Sequence, residues 1–484
     1  MRTGSRIIPS RRKAFRGLCV AALLVLGGAV PSMRGHVDAG VQRSPHTPEP
    51  FDVTYYRLSL SVDTVARGIG GRVTVSLQVT APALRRVPLD LADSMRVEGV
   101  QVGGRPAGFT HRDGVLAVDA TGREGDHLEL TVDFSGRPVG KGFTWQEHAG
   151  GPRISTYGLP HTAQEWWPCR DDPGDKADSV DVEVTVPEGL VVASNGREVG
   201  RTGGSDGTVT YSWSVRHPIY PDVVSLAIAP YETFTLSHVE PDGDSLPLRF
   251  FVFPEDLQKA KTDFAVLPDM LSFYESILGP YPFADEKYGI AEFTTPSFRE
   301  HQTLPSLGAN HVTGTHADDW ILAHDLAHQW FGNSLTVRTW SDVWLNESLA
   351  QYCMLLYYEH AAGRGVYDNQ IRRMEGADVH GSVYIPDSTD VKSMFGARTF
   401  TKGTLVLHML RGVMGDDAFL RALRRYVADF SYGTVTTSDF QHEAEAAWGH
   451  PLNDFFDKWV FGAQRLPLPD TVSGLSLLPT TEGS

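Results

Sequence analysis

Cysteine is scarce: three occur among 484 residues, at Cys19, Cys169 and Cys353. Cys19 lies in an N-terminal segment expected to be removed, and the other two permit a disulfide without implying one. Their apolar surroundings, WWPC and YCML, point to buried free thiols. Positive charge is also short, with 43 Lys and Arg against 59 Asp and Glu. The net charge of −16 argues against nucleic acid and against anionic membrane surfaces as partners. Past Val30 there is no apolar run of transmembrane length. No repeat of fixed period is evident. With 41% hydrophobic and 21% charged residues the chain is globular rather than disordered. Its length calls for two or three domains.

What is present begins with an export signal. Arg2, Arg6, Arg11, Arg12, Lys13 and Arg16 precede an apolar run from Leu18 to Val30 that is too short to span a bilayer comfortably. Residues 1–39 are expected to be a signal peptide, cleaved after Val37-Asp38-Ala39. The mature protein is then exported, either secreted or associated with the cell envelope. Residues 40–50 read as a Pro-containing linker. YYRLSLSVD, GRVTVSLQVT, HLELTVDF, DVEVTVP and VTYSWSV then alternate apolar with polar residues between Gly, Asp and Pro, as half-buried antiparallel strands do. An all-β saddle or sandwich is therefore expected over residues 51–245. From Pro254 the period turns helical, beginning with PEDLQKAKTDFAVLPDMLSFYESIL, so an α-rich domain is expected over 246–470 and a tail over 471–484. The fold class is α+β and multidomain.

The chemistry concentrates between Trp320 and Tyr352, in WILAHDLAHQWFGNSLTVRTWSDVWLNESLAQY. His324 and His328 fall at i and i+4 of a helical apolar pattern, so both imidazoles project from one face. Glu347 opens a second helical segment and supplies a carboxylate. Two imidazoles and one carboxylate leave a fourth tetrahedral position open, which is the arrangement of a catalytic zinc site. One Zn²⁺ ion held by His324, His328 and Glu347 is the expectation.

The chain resembles the aminopeptidase N family of zinc peptidases, gluzincins that include leukotriene hydrolase. The likeness rests on WWPCRDDPGDKAD and VVASNG in the β-region, and on YESILGPYPFADEKYGI, HDLAH and WLNE in the helical region. FFDKWVFGAQRLPLPD extends it close to the C-terminus. The resemblance implies a β-saddle on a thermolysin-like catalytic domain, with zinc at their junction and the large C-terminal helical domain of longer relatives absent. It also implies hydrolysis of N-terminal peptide bonds in a peptide substrate. PSFREHQT matches the family's G-x-M-E-N element and places Glu300 where the substrate amine is bound.

Four departures accompany these matches. Asp325 stands where the family has the glutamate base, which draws the carboxylate back by about 1.5 Å. General-base catalysis contributes roughly 10²–10⁴-fold, and much of that is at risk. Phe400, in FTKG, stands at the family's oxyanion-binding tyrosine and has no hydroxyl to donate. Losing one such donor costs on the order of 10²–10³-fold. Leu159 falls, by spacing from WWPC, at a second amine-binding position. Ser297, Phe298 and Arg299 replace small residues and a methionine before Glu300, narrowing the groove or adding a contact. Three readings follow: an impaired or specialised aminopeptidase, a zinc-containing pseudoenzyme that binds peptides or a partner, or a hydrolase redirected to a substrate without a free amine.

Overall fold

The computed structural model describes residues 50–466, except 149, 159, 241, 242 and 378. The expected signal peptide, almost all of the linker, the tail from residue 471, and Leu159 lie outside the described residues. The N-terminal half is built on an eight-stranded sheet. Its centre is the long hairpin Phe51–Asp63 and Gly68–Val79, flanked by Ser179–Pro187 and His127–Gly136. Ser179–Pro187 alternates between buried and half-buried residues along its whole length, as its sequence requires. Four-stranded and three-stranded sheets pack beside it, and the valines and leucines between the layers are almost completely buried. This is a layered β-region, and the helical domain follows it.

A mixed five-stranded sheet carries the second half, ordered Glu232–Val239, Ser245–Val252, Tyr288–Phe293, Ser306–Gly308 and Phe298–Arg299. Its first two strands form a hairpin that straddles residue 245. Those strands alternate like the earlier ones, and only their parallel pairing with Tyr288–Phe293 assigns them to this sheet. Phe298–Arg299 is the edge strand, and Phe298 packs against Trp320 of the helix Asp319–Ala327. Cys169 and Cys353 are free and buried. No helix among the described residues is long and apolar enough to cross a membrane.

Candidate metal centre

Two helices build the site. All nine residues of Asp319–Ala327 are buried, so the histidines project into protein rather than solvent. His324 lies within this helix and His328 caps it. Gly332 then turns the chain at φ +117, a conformation that side chains rarely adopt, and a Cβ there would stand 3.1 Å from His328 Nδ1. Glu347 occupies the first turn of the helix Trp344–Ala362. His324, His328 and Glu347 are respectively 4%, 1% and 4% exposed.

Their ligand atoms converge. His324 Nε2 and His328 Nε2 are 3.1 Å apart, and Glu347 Oε2 is 3.8 Å from the first and 3.4 Å from the second. Two ligand atoms each about 2.1 Å from one tetrahedral zinc lie roughly 3.4 Å apart, so the triangle has the size the ion requires. His328 Nδ1 faces Phe331 O at 2.9 Å, which leaves Nε2 as the metal-facing nitrogen. The charge balance fits as well. Burial pushes His328 down, but Glu347 and other nearby carboxylates outweigh it and lift the imidazole to about 9. Burial and then Glu347 raise Glu300, while burial and then Glu300 raise Asp325 well above the carboxylate range. Three crowded acids beside two imidazoles call for a compact dication.

Asp325, Glu300, Phe400 and Phe298 lie in this neighbourhood, and Leu159 is outside the described residues. Asp325 is 2% exposed, and its Oδ1 has no hydrogen-bond partner among the described residues. Glu300 follows the edge strand directly, and its backbone carbonyl accepts from Asn333 Nδ2 at 2.8 Å. Phe400 lies in a π-helical turn, Arg398–Lys402, with its ring centroid 6.4 Å from that of His324. The edge-strand Phe298 covers another side of His324, at 5.8 Å.

Sequence reasoning missed the residues that hold the edge strand in place. Gln329 Oε1 accepts from Thr303 N at 2.8 Å, one residue past a metal ligand in the motif. Thr303 has φ +58, unusual for a β-branched residue, and Lys287 Nζ and Gly196 N both donate to its Oγ1. From the β-region, Asn195 Nδ2 reaches Gln302 O at 2.5 Å and Lys176 Nζ reaches Asn333 O at 2.8 Å. VVASNG and GDKAD thus each supply a contact between the halves. Tyr220 gave no signal. It is 4% exposed, and burial followed by the charges of Glu300, Asp222 and Glu347 raises its phenol far above the usual value.

A β-layered half closing on a helical half, with two histidines one turn apart and a remote glutamate, defines the class of two-domain zinc metallopeptidases. The chain belongs to peptidase family M1. Residues 52–220 match the Peptidase M1 N-terminal domain and residues 304–459 the Peptidase family M1 domain. A leucyl aminopeptidase of Saccharolobus solfataricus is 24% identical over 392 residues, covering 76% of this chain and 48% of that protein. Human glutamyl aminopeptidase is 25% identical over 431 residues, covering 81% and 44%. The chain thus spans about half the length of the curated relatives it matches. Among solved structures, an M1 zinc metallopeptidase from Deinococcus radiodurans superposes with a TM-score of 0.75 at 26% identity, covering 87% of this chain and 95% of that one. Yeast LTA4 hydrolase shares the fold, with a TM-score of 0.75 at 19% identity and coverage of 88% and 72%.

Proposed function

We propose that this protein is an exported zinc-dependent aminopeptidase with weakened or specialised chemistry. The observation that carries the reading is one buried cluster in which His324, His328 and Glu347 converge to the spacing of a single ion, with the carboxyl groups of Glu300 and Asp325 buried nearby. When bound, zinc supplies a Lewis acid for the scissile carbonyl and lowers the pKa of coordinated water. Glu300, on the rigid sheet edge, holds the substrate's ammonium and so limits cleavage to the first peptide bond. Asp325 accepts a proton at its carboxylate, from a position shorter by one methylene than a glutamate. The Phe400 ring excludes water beside His324 and donates nothing to a developing oxyanion.

The absent hydroxyl favours a second reading, a zinc-containing pseudoenzyme that binds peptides or a partner through the same cleft. Purified protein assayed on aminoacyl-arylamides separates the two, before and after Asp325→Glu combined with Phe400→Tyr. The aminopeptidase reading expects measurable turnover in the natural sequence and a gain of roughly 10²-fold or more in the double variant. Turnover only in the double variant marks a pseudoenzyme. Stoichiometric zinc with no turnover in either form points to a substrate without a free amine. Division near residue 245 and removal of residues 1–39 belong to the same proposal, and N-terminal sequencing of exported protein tests the latter.

A further inference from the structure

We infer that Arg299 selects the first side chain of the substrate and favours an acidic one. This rests on Glu300 being the amine-binding carboxylate. The guanidinium is held on several sides: Nε donates to Tyr157 O at 3.0 Å, Nη1 to Phe298 O at 2.6 Å and to Ser297 Oγ at 3.4 Å. Its carbon lies 3.8 Å from the centroid of the Tyr157 ring, so the plane also rests on an aromatic face. The remaining nitrogen, Nη2, makes no hydrogen bond to any described residue. The residue is half-buried, not enclosed.

The neighbours decide what that free edge meets. Phe298, on the same strand, turns inward against Trp320 and His324, each 5.8 Å away between ring centroids. Its added apolar surface is therefore taken up by the protein, and the added charge of Arg299 remains for the substrate. That charge stands one residue before Glu300, on the strand whose Phe298 packs against the ligand His324.

A peptide beginning with aspartate or glutamate carries an ammonium and a carboxylate a few bonds apart. Glu300 and Arg299, adjacent in the chain, present the complementary order of charges. A pre-oriented planar fork loses little freedom on pairing with a carboxylate. An apolar first residue leaves Nη2 to water and sets an ammonium near a cation with no compensation. A basic first residue adds a second like charge.

Titration calorimetry of the zinc-loaded full chain with free L-glutamate, L-leucine and L-lysine tests the assignment. Glutamate is expected to bind about tenfold more tightly than leucine, and lysine more weakly than either. Arg299→Met, which keeps the stem and removes the charge, is expected to abolish the preference while leucine binds as well or better. Arg299→Lys, which keeps the charge without the fork, is expected to retain a reduced preference and guards against misfolding of the methionine variant. Equal affinities for glutamate and leucine in the natural sequence overturn the role of Arg299 and leave the amine site standing, as does a preference that survives in Arg299→Met. If no amino acid binds, the reading of Glu300 falls and the assignment falls with it.

Discussion

At the scale of single residues, Glu347 carries the most consequence. It is the lone ligand from outside the histidine helix, and its oxygen closes the triangle at 3.4 Å and 3.8 Å. Glu347→Ala is expected to abolish stoichiometric zinc, measured by mass spectrometry of the dialysed protein. A ligand present at about a thousand times its dissociation constant stabilises the folded state by roughly 4 kcal/mol. A chelator should therefore lower the melting temperature of the natural protein and leave that of Glu347→Ala unchanged. Equal chelator sensitivity in both would remove Glu347 from the ligand set. Gly332 has the opposite kind of importance, because its backbone is at issue. An alanine there meets both a positive φ and His328, so both stability and metal affinity are expected to fall.

At the scale of elements, the edge strand and its supports act together. Phe298–Arg299 is two residues long and pairs on one side only. Its position depends on side chains from elsewhere, chiefly Asn333 on Glu300 O and Gln329 on Thr303 N. Asn333→Ala leaves a part-buried carbonyl without its donor, at a cost of about 1–3 kcal/mol. Substrate KM is expected to rise more than kcat falls, because Glu300 shifts while the metal ligands stay. Asn195 joins the halves through Gln302 O at 2.5 Å, and within the β-region it donates to Val223 O at 2.9 Å and accepts from Ser225 N at 2.6 Å. Asn195→Ala is expected to lower stability by about 2–4 kcal/mol, read as a shift in the urea midpoint. An unchanged midpoint would show that the interface is held elsewhere.

At the scale of the whole molecule, acid sensitivity follows from histidines folded in their neutral form. Burial, and then Arg364 and Arg411, lower His408 to about 4, and burial followed by Arg299 lowers His301 to about 3. Tyr367 Oη lies 2.7 Å from His408 Nδ1, which can accept that hydrogen bond only while unprotonated. At these two positions the unfolded chain binds more protons than the folded one between about 6.5 and these lower values, so the stability they contribute is full above pH 6.5 and declines as pH falls toward 4. Melting curves of the natural protein and of His408→Gln across that window check the sign: the difference between them is expected to shrink as pH falls, because only the natural protein must protonate a buried imidazole. The sequence by itself determined the strand periodicity, the helical second half and the three ligands, because alternation, helical spacing and metal chemistry each act through near neighbours or through a fixed turn of helix. The substitutions at Asp325 and Phe400 were also visible, since a missing methylene or hydroxyl is a property of the residue. Tertiary structure alone decided which sheet owns Glu232–Val239, that Phe298 turns inward while Arg299 rests on Tyr157, and that Asn195, Lys176 and Tyr220 reach the second half. Those contacts join residues far apart in the chain, and only the packing of elements on one another brings them within reach.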